Sequence, residues 1–223
     1  MAVRIGEFDY DPFILETLTW LSIVHTYLAE VETTIPEAKR RAIKRVSEIA
    51  KRQKRDQHTL EYEIEIRESR FDSDFPKLLR YSIVTLLHTI VKTQLIRLAK
   101  YLKEEKKLSL RIKDFRGTPI EQAKLYFNKV VNLNVSGDRA WRELRDLAEL
   151  RNIIVHRGGV RGADEEHQKT VGRLIEKYKR DLRLLGSKDS PDSEVKVSPA
   201  LCRRFLDTIE QFFHRLFQAS GLE

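Results

Sequence analysis

Between Leu78 and Glu105 the chain carries Leu79, Ile83, Leu86, Leu87, Ile90, Leu95, Leu98 and Leu102, with no glycine or proline among them. An α-helix turns about 100° per residue, so this spacing predicts one long helix with a continuous apolar stripe. A helix that apolar has to sit at the centre of a fold, with other helices packed around it. DSDFPK, residues 72–77, reads as its N-terminal signal.

The rest of the chain offers such partners. It has only nine glycines and six prolines in 223 residues, so there are few places for it to break. Asp11-Pro12 looks like a helix entrance, followed by Ile14, Leu18, Leu21, His25 and Leu28 at helical spacing. Pro36 is read as a restart, leading into a basic helix over about 36–58 with Ile43, Val46, Ile49 and Ala50 as its apolar stripe. A short helix follows Pro119. NVSGD, residues 134–138, is read as a loop with capping residues, and the helix after it ends near Gly158. ADEEHQ, residues 163–168, opens another helix with acids in its first turn. A polar loop covers about 186–198, with a short extended piece at its end. The last helix, Pro199 to Gln218, sets Phe205, Ile209, Phe212, Phe213 and Leu216 on one face. LEYEIEI, residues 60–66, alternates as a strand does, but no partner strand or turn signal lies nearby, so a continuing helix is expected. The expectation is one all-α domain over residues 1–223, a bundle of six or seven helices.

The bulk numbers narrow the function. Apolar residues at 41% exclude a disordered chain. A net charge of +8 suits a polyanionic partner or simply a soluble surface. Cys202 is the one cysteine, so neither an internal disulfide nor a cysteine metal cluster can form, and a cytoplasmic location is expected. The start, MAVRIGEFDYDPF, lacks the apolar core of a signal peptide. The most apolar stretch, Tyr81 to Ala99, is interrupted by His88, Lys92, Gln94 and Arg97, so no membrane span is expected. The six histidines form no HExxH-type pair and no glycine-rich phosphate loop is present, so neither a catalytic metal nor another cofactor is expected. His25 and His88 are read as hydrogen-bonded core residues, and Cys202 as a small packing residue.

One segment does not fit ordinary helices. RNIIVHRGG, residues 151–159, closes a helix whose Trp141, Leu144, Leu147, Ala148, Ile154 and Val155 fall on one arc. Arg151 falls near the middle of that arc, while Asn152 and His156, four apart, share its flank with Arg145 and Glu149. A guanidinium in an apolar stripe is costly unless paired or set in a cleft. The spacing leaves both readings open: an internal ion pair with Glu30 or Glu32, or a cleft into which Arg151, Asn152 and His156 point. Gly158-Gly159 is expected to form a left-handed cap, beside which stand Arg157 and Arg161. Three arginines around one histidine suit a phosphodiester: arginine offers paired donors to phosphate oxygens and histidine exchanges a proton near neutrality.

Glu149-Leu150-Arg151-Asn152-Ile153-Ile154-Val155-His156 resembles the signature of HEPN domains, an arginine with a polar residue directly after it and a histidine near a helix end, four to six residues lying between arginine and histidine. The order of a long apolar helix after FPKLLRYS, a motif helix two elements later and a phenylalanine-rich last helix is similar to HEPN organisation over about residues 13–218. The resemblance implies a two-fold dimer whose motif helices meet at a shared cleft, and metal-independent cleavage of RNA by its own 2′-OH, giving cyclic phosphate and 5′-OH ends. It implies that Arg151 stabilises the phosphate, that His156 is general acid or base, and that Asn152 orients the histidine or the phosphate. Arg145, Arg157 and Arg161 would bind RNA phosphates, and Glu149 would be an accessory acid. A toxin–antitoxin, anti-phage or stress setting, with an antitoxin or inhibitor protein as a further partner, follows from the same resemblance. Two features depart from it: no tyrosine follows the histidine closely, and the long helix has Lys92 and Gln94 where many members carry an acid. The other function class left open is a non-catalytic helical module that binds RNA or a protein. The run Lys39 to Arg55, with nine basic residues against Glu48, could follow an RNA backbone or be a solvated face; no aromatics interleave it.

Overall fold

A computed structural model describes residues 3–5, 8–133, 139–187 and 190–222. The expected loop at 134–138 lies outside the described residues. Seven α-helices dominate: α1 (Pro12–Gln53), α2 (Gln57–Ser69), α3 (Phe75–Glu105), α4 (Pro119–Lys129), α5 (Arg139–Arg157), α6 (Glu165–Lys177) and α7 (Pro199–Ser220). Two antiparallel hairpins complete the described chain: β1 (Val3–Ile5) with β2 (Phe8–Tyr10), and β3 (Leu182–Leu185) with β4 (Glu194–Val197). The fold is all-α, as the apolar spacing implies.

The long helix α3 is central and packs against α1, α4, α5 and α7. Ile83, Val84, Leu87, Val91, Leu95 and Leu98 are fully buried along it. Its tie to α1 is antiparallel: Arg80 grips Glu32 at one end, with Nε 2.8 Å from Oε1, and Arg97 grips Glu16 at the other. The closing helix α7 fills the remaining side with aromatic rings. Phe212 stands edge-on to Trp141 of α5 at 4.8 Å, and Phe217 edge-on to Phe13 of α1 at 5.9 Å. Each such pair adds about 0.5–1.5 kcal/mol beyond its buried area.

Local chemistry explains most boundaries. Thr118 and Glu121 form a reciprocal capping box around Pro119, which fixes the start of α4. Asp11, Asp56, Asp164 and Ser198 cap α1, α2, α6 and α7 through their side-chain oxygens. Residues 60–66 are helical, within α2, and none of this helix is fully buried.

Two expectations about breaks fail, and one about burial. Pro36 lies inside α1 and does not restart the chain, so the basic segment is the second half of one helix, Pro12–Gln53, and the break comes at left-handed Lys54. Proline removes one N–H and crowds the carbonyl four residues back, at a cost of about 3 kcal/mol. Here the ring is exposed, and the Thr33 and Thr34 hydroxyls donate to Glu30 O just ahead. DSDFPK is not a capped start either. Residues Arg70–Asp74 form a π-helical turn that joins α2 directly to α3. Phe75 N–H donates to Arg70 O across this wider turn, which accommodates Pro76, a residue without an N–H. His25, expected in the core, is exposed.

Candidate active site at the end of the fifth helix

Helix α5 meets the core through Trp141, Leu144, Leu147, Leu150, Ile153 and Ile154. Its first half also buries two carboxylates. Glu143 accepts from Arg204 Nη2 at 2.7 Å and Thr208 Oγ1 at 2.9 Å, both on α7. Burial opposes its ionisation, but Arg204 and Thr208 together hold its carboxyl below the ordinary value. Asp146 accepts from Arg173 Nη1 and the Tyr178 hydroxyl, each at 2.8 Å, and pairs with Lys177. Burial, then the charge of Asp146, drives the Tyr178 phenol upward. These acids clamp α5 to α7 and α6.

The second half differs. Arg151 is partly buried, and its Nε is buried with no hydrogen-bond partner. Neither Glu30 nor Glu32 reaches it: Glu32 is committed to Arg80, and no described carboxylate pairs with Arg151. The internal ion pair left open by spacing is therefore absent among the described residues. Instead Arg151 Nη1 donates to Asn152 Oδ1 at 3.1 Å and lies 3.3 Å from His156 Nε2. A guanidinium only donates, so this contact places the lone pair of His156 on Nε2. Asn152 Oδ1 thus bonds the arginine, and no described hydrogen bond joins Asn152 to the histidine. Val155, expected on the packed arc, is 44% exposed one turn beyond Arg151.

The glycines end the helix as expected, both left-handed, at φ 62° for Gly158 and 85° for Gly159. Gly159 N–H returns to Ile153 O at 3.1 Å. A Cβ at Gly159 would lie 2.1 Å from the Tyr81 hydroxyl, which donates to Val195 O at 2.6 Å. Only glycine lets the chain turn here against α3 and β4. Val160 then bridges to Glu194, and Arg161 N–H donates to Ser193 O, so the second hairpin holds the turn.

Asn152, His156 and Arg157 line one pocket of about 290 Å³ with Glu149, Ile153, and His167 and Thr170 of α6. Arg145 lines an adjoining hollow with Arg142, Asp146, Arg173 and Lys177, and the two share Glu149. Glu149 is paired with Arg173. Arg161 stands apart, its Nη2 donating to Gln168 Oε1 at 3.0 Å.

Two histidines complete this region that residue spacing does not single out. His88 of α3 is half-buried, and its imidazole is pushed down to about 4 by burial and then by the charges of Arg151 and Lys92. It is not the hydrogen-bonded core residue expected: no described group bonds its ring. His167 sits at the start of α6 with Nε2 3.3 Å from Val160 O. No group of three or more described His, Cys, Asp or Glu side chains is placed to hold a metal ion, and no described helix is long and apolar enough to cross a membrane. Compared with family models, with curated proteins and with solved structures, the chain matches none.

Proposed function

We propose that this chain is an endoribonuclease of HEPN type that cleaves RNA without a metal and acts as a homodimer. The observation that carries the reading is Arg151, a partly buried guanidinium with no described carboxylate partner, held by Asn152 against the Nε2 lone pair of His156. An unneutralised cation beside a proton acceptor suits a phosphodiester: the guanidinium meets charge that grows on the phosphate in the transition state, and the imidazole takes part in proton transfer. The attacking group is the RNA's own 2′-OH, so the products are a 2′,3′-cyclic phosphate and a 5′-OH end, and DNA is not cut. Arg145 and Arg157 sit along the approach to bind neighbouring phosphates; Arg161 contributes from the turn.

An exposed apolar stripe supports pairing with a second copy. Trp20, Ile23 and Tyr27 recur at helical spacing on α1 at 47%, 51% and 47% exposure, with Leu86 and Ile96 exposed on the neighbouring α3 and Val155 beside Arg151. A toxin–antitoxin, anti-phage or stress-response setting, with an inhibitor protein, is the context in which such a nuclease would be held in check.

Purified protein in EDTA is expected to cut single-stranded RNA and leave the matching DNA intact. Arg151→Ala and His156→Ala should each lower the rate about a hundredfold or more. Undiminished cleavage by both variants would sink the assignment. Trp20→Asp should convert the sedimenting species from dimer to monomer; an unchanged species means that another face pairs.

A further inference from the structure

We propose that His167 is the general acid of this site, acting opposite His156 across the valley between α5 and α6, so that one protomer carries both proton-transfer groups. The inference rests on the RNA-cleavage reading above and assigns a residue outside the helix that bears the arginine–histidine motif.

The two imidazoles line the same pocket, His156 from the last turn of α5 and His167 from the first turn of α6. Their tautomers are fixed by what they touch. His156 Nε2 faces the donor Arg151 Nη1, so it holds a lone pair and is suited to accept a proton. His167 Nε2 faces the carbonyl of Val160, which only accepts, so this nitrogen carries hydrogen and Nδ1 is left for exchange. The carbonyl thus orients the ring as a second group orients a catalytic histidine elsewhere. That carbonyl is itself fixed, because Val160 bridges to Glu194 and its N–H donates to Arg157 O at 3.0 Å.

Arg157 lines the same pocket as the two imidazoles and sets a cation beside them, while Glu149, which also lines it, is tied to Arg173. The same valley continues past Glu149 into the hollow that Arg142, Arg145, Arg173 and Lys177 line with Asp146, where bases outnumber acids along the path of the flanking strand.

The step balances within these groups. O2′ attacks phosphorus as Arg151 Nη1 turns from His156 Nε2 to a phosphate oxygen, and the freed Nε2 lone pair takes the O2′ proton. The P–O5′ bond breaks as His167, doubly protonated, delivers the Nδ1 proton to O5′ and keeps its Nε2–H on Val160. Exchange with solvent resets both rings, and no further reactant is needed.

A leaving group that needs no proton separates an acid from a residue that merely shapes the pocket. The full-length protein and its His167→Ala, His167→Gln and His156→Ala variants are assayed on an oligonucleotide with one ribonucleotide, its 5′-bridging atom either oxygen or sulfur. His167→Ala and His167→Gln should slow oxygen cleavage about a hundredfold or more, and sulfur cleavage less than tenfold. His156→Ala should be defective on both. His167 variants that match wild type on oxygen, or that are equally defective on both substrates, overturn the assignment while leaving the RNA-cleavage reading intact. A wild-type protein that cuts neither substrate nor any RNA overturns both.

Discussion

The two halves of α5 treat charge in opposite ways. In the first, Glu143 and Asp146 are buried and each is met by an arginine and a hydroxyl, with Lys177 added at Asp146. In the second, Arg151 is partly buried with an unsatisfied Nε and no described carboxylate, and its hydrogen bonds go to Asn152 and His156. A fold that satisfies two buried acids so completely has the means to pair one arginine. Leaving it unpaired has a free-energy cost, and the pairing in the first half shows that the cost is local. The contrast teaches that the first half ties α5 into the fold through paired acids, whereas Arg151 in the second meets only Asn152 and His156 among the described residues.

Removing an acid from the paired half should do the most damage. Asp146→Ala leaves Arg173, Lys177 and the Tyr178 hydroxyl without their acceptor. Because Arg173 and Lys177 are partly exposed, the loss should fall at the low end for a broken buried pair, about 3 kcal/mol in urea denaturation. Unchanged stability would erase the distinction between the halves. The next effect comes from His88, whose imidazole is held down to about 4 beside Arg151. The unfolded chain binds this proton more readily, so stability is full above the ordinary histidine value and falls as pH drops from about 6.5 toward 4. The decline should amount to at most about 3 kcal/mol, less what water screens, and His88→Leu should flatten it. If the acid limb is the same in His88→Leu, other groups set it. The smallest effect belongs to Arg151→Met, which removes the unpaired charge but keeps the stem. Stability should change by less than about 1 kcal/mol, in either direction, and the His88 resonance in an NMR titration should move back toward its ordinary range. A large loss of stability would mean that Arg151 has a structural partner.

The helices were legible because apolar spacing and caps act locally: the capping box at Thr118, the cap at Asp164 and the Gly158-Gly159 stop each need only a few residues. Pro36 and DSDFPK misled for the converse reason. A proline ends a helix only when no tertiary contact continues it, and the packing of α1 and the π turn at Arg70–Asp74 supply that continuity. The strands of both hairpins are short and carried no expectation beyond the extended piece near Val197. At the site, Arg151, Asn152 and His156 stood out because they interrupt an apolar pattern. Val155 was misplaced because a smooth arc cannot say where packing stops. His88 and His167 were invisible as partners, since each meets the motif from another helix, and nothing in local spacing encodes that approach.

Arg151→Met, assayed for cleavage and for urea stability on the same preparation, tests the central claim most directly. The account predicts RNA cleavage lowered about a hundredfold or more with urea stability within about 1 kcal/mol of wild type. A variant that cleaves as wild type does, or whose lost activity follows from a fall in its midpoint, would contradict it.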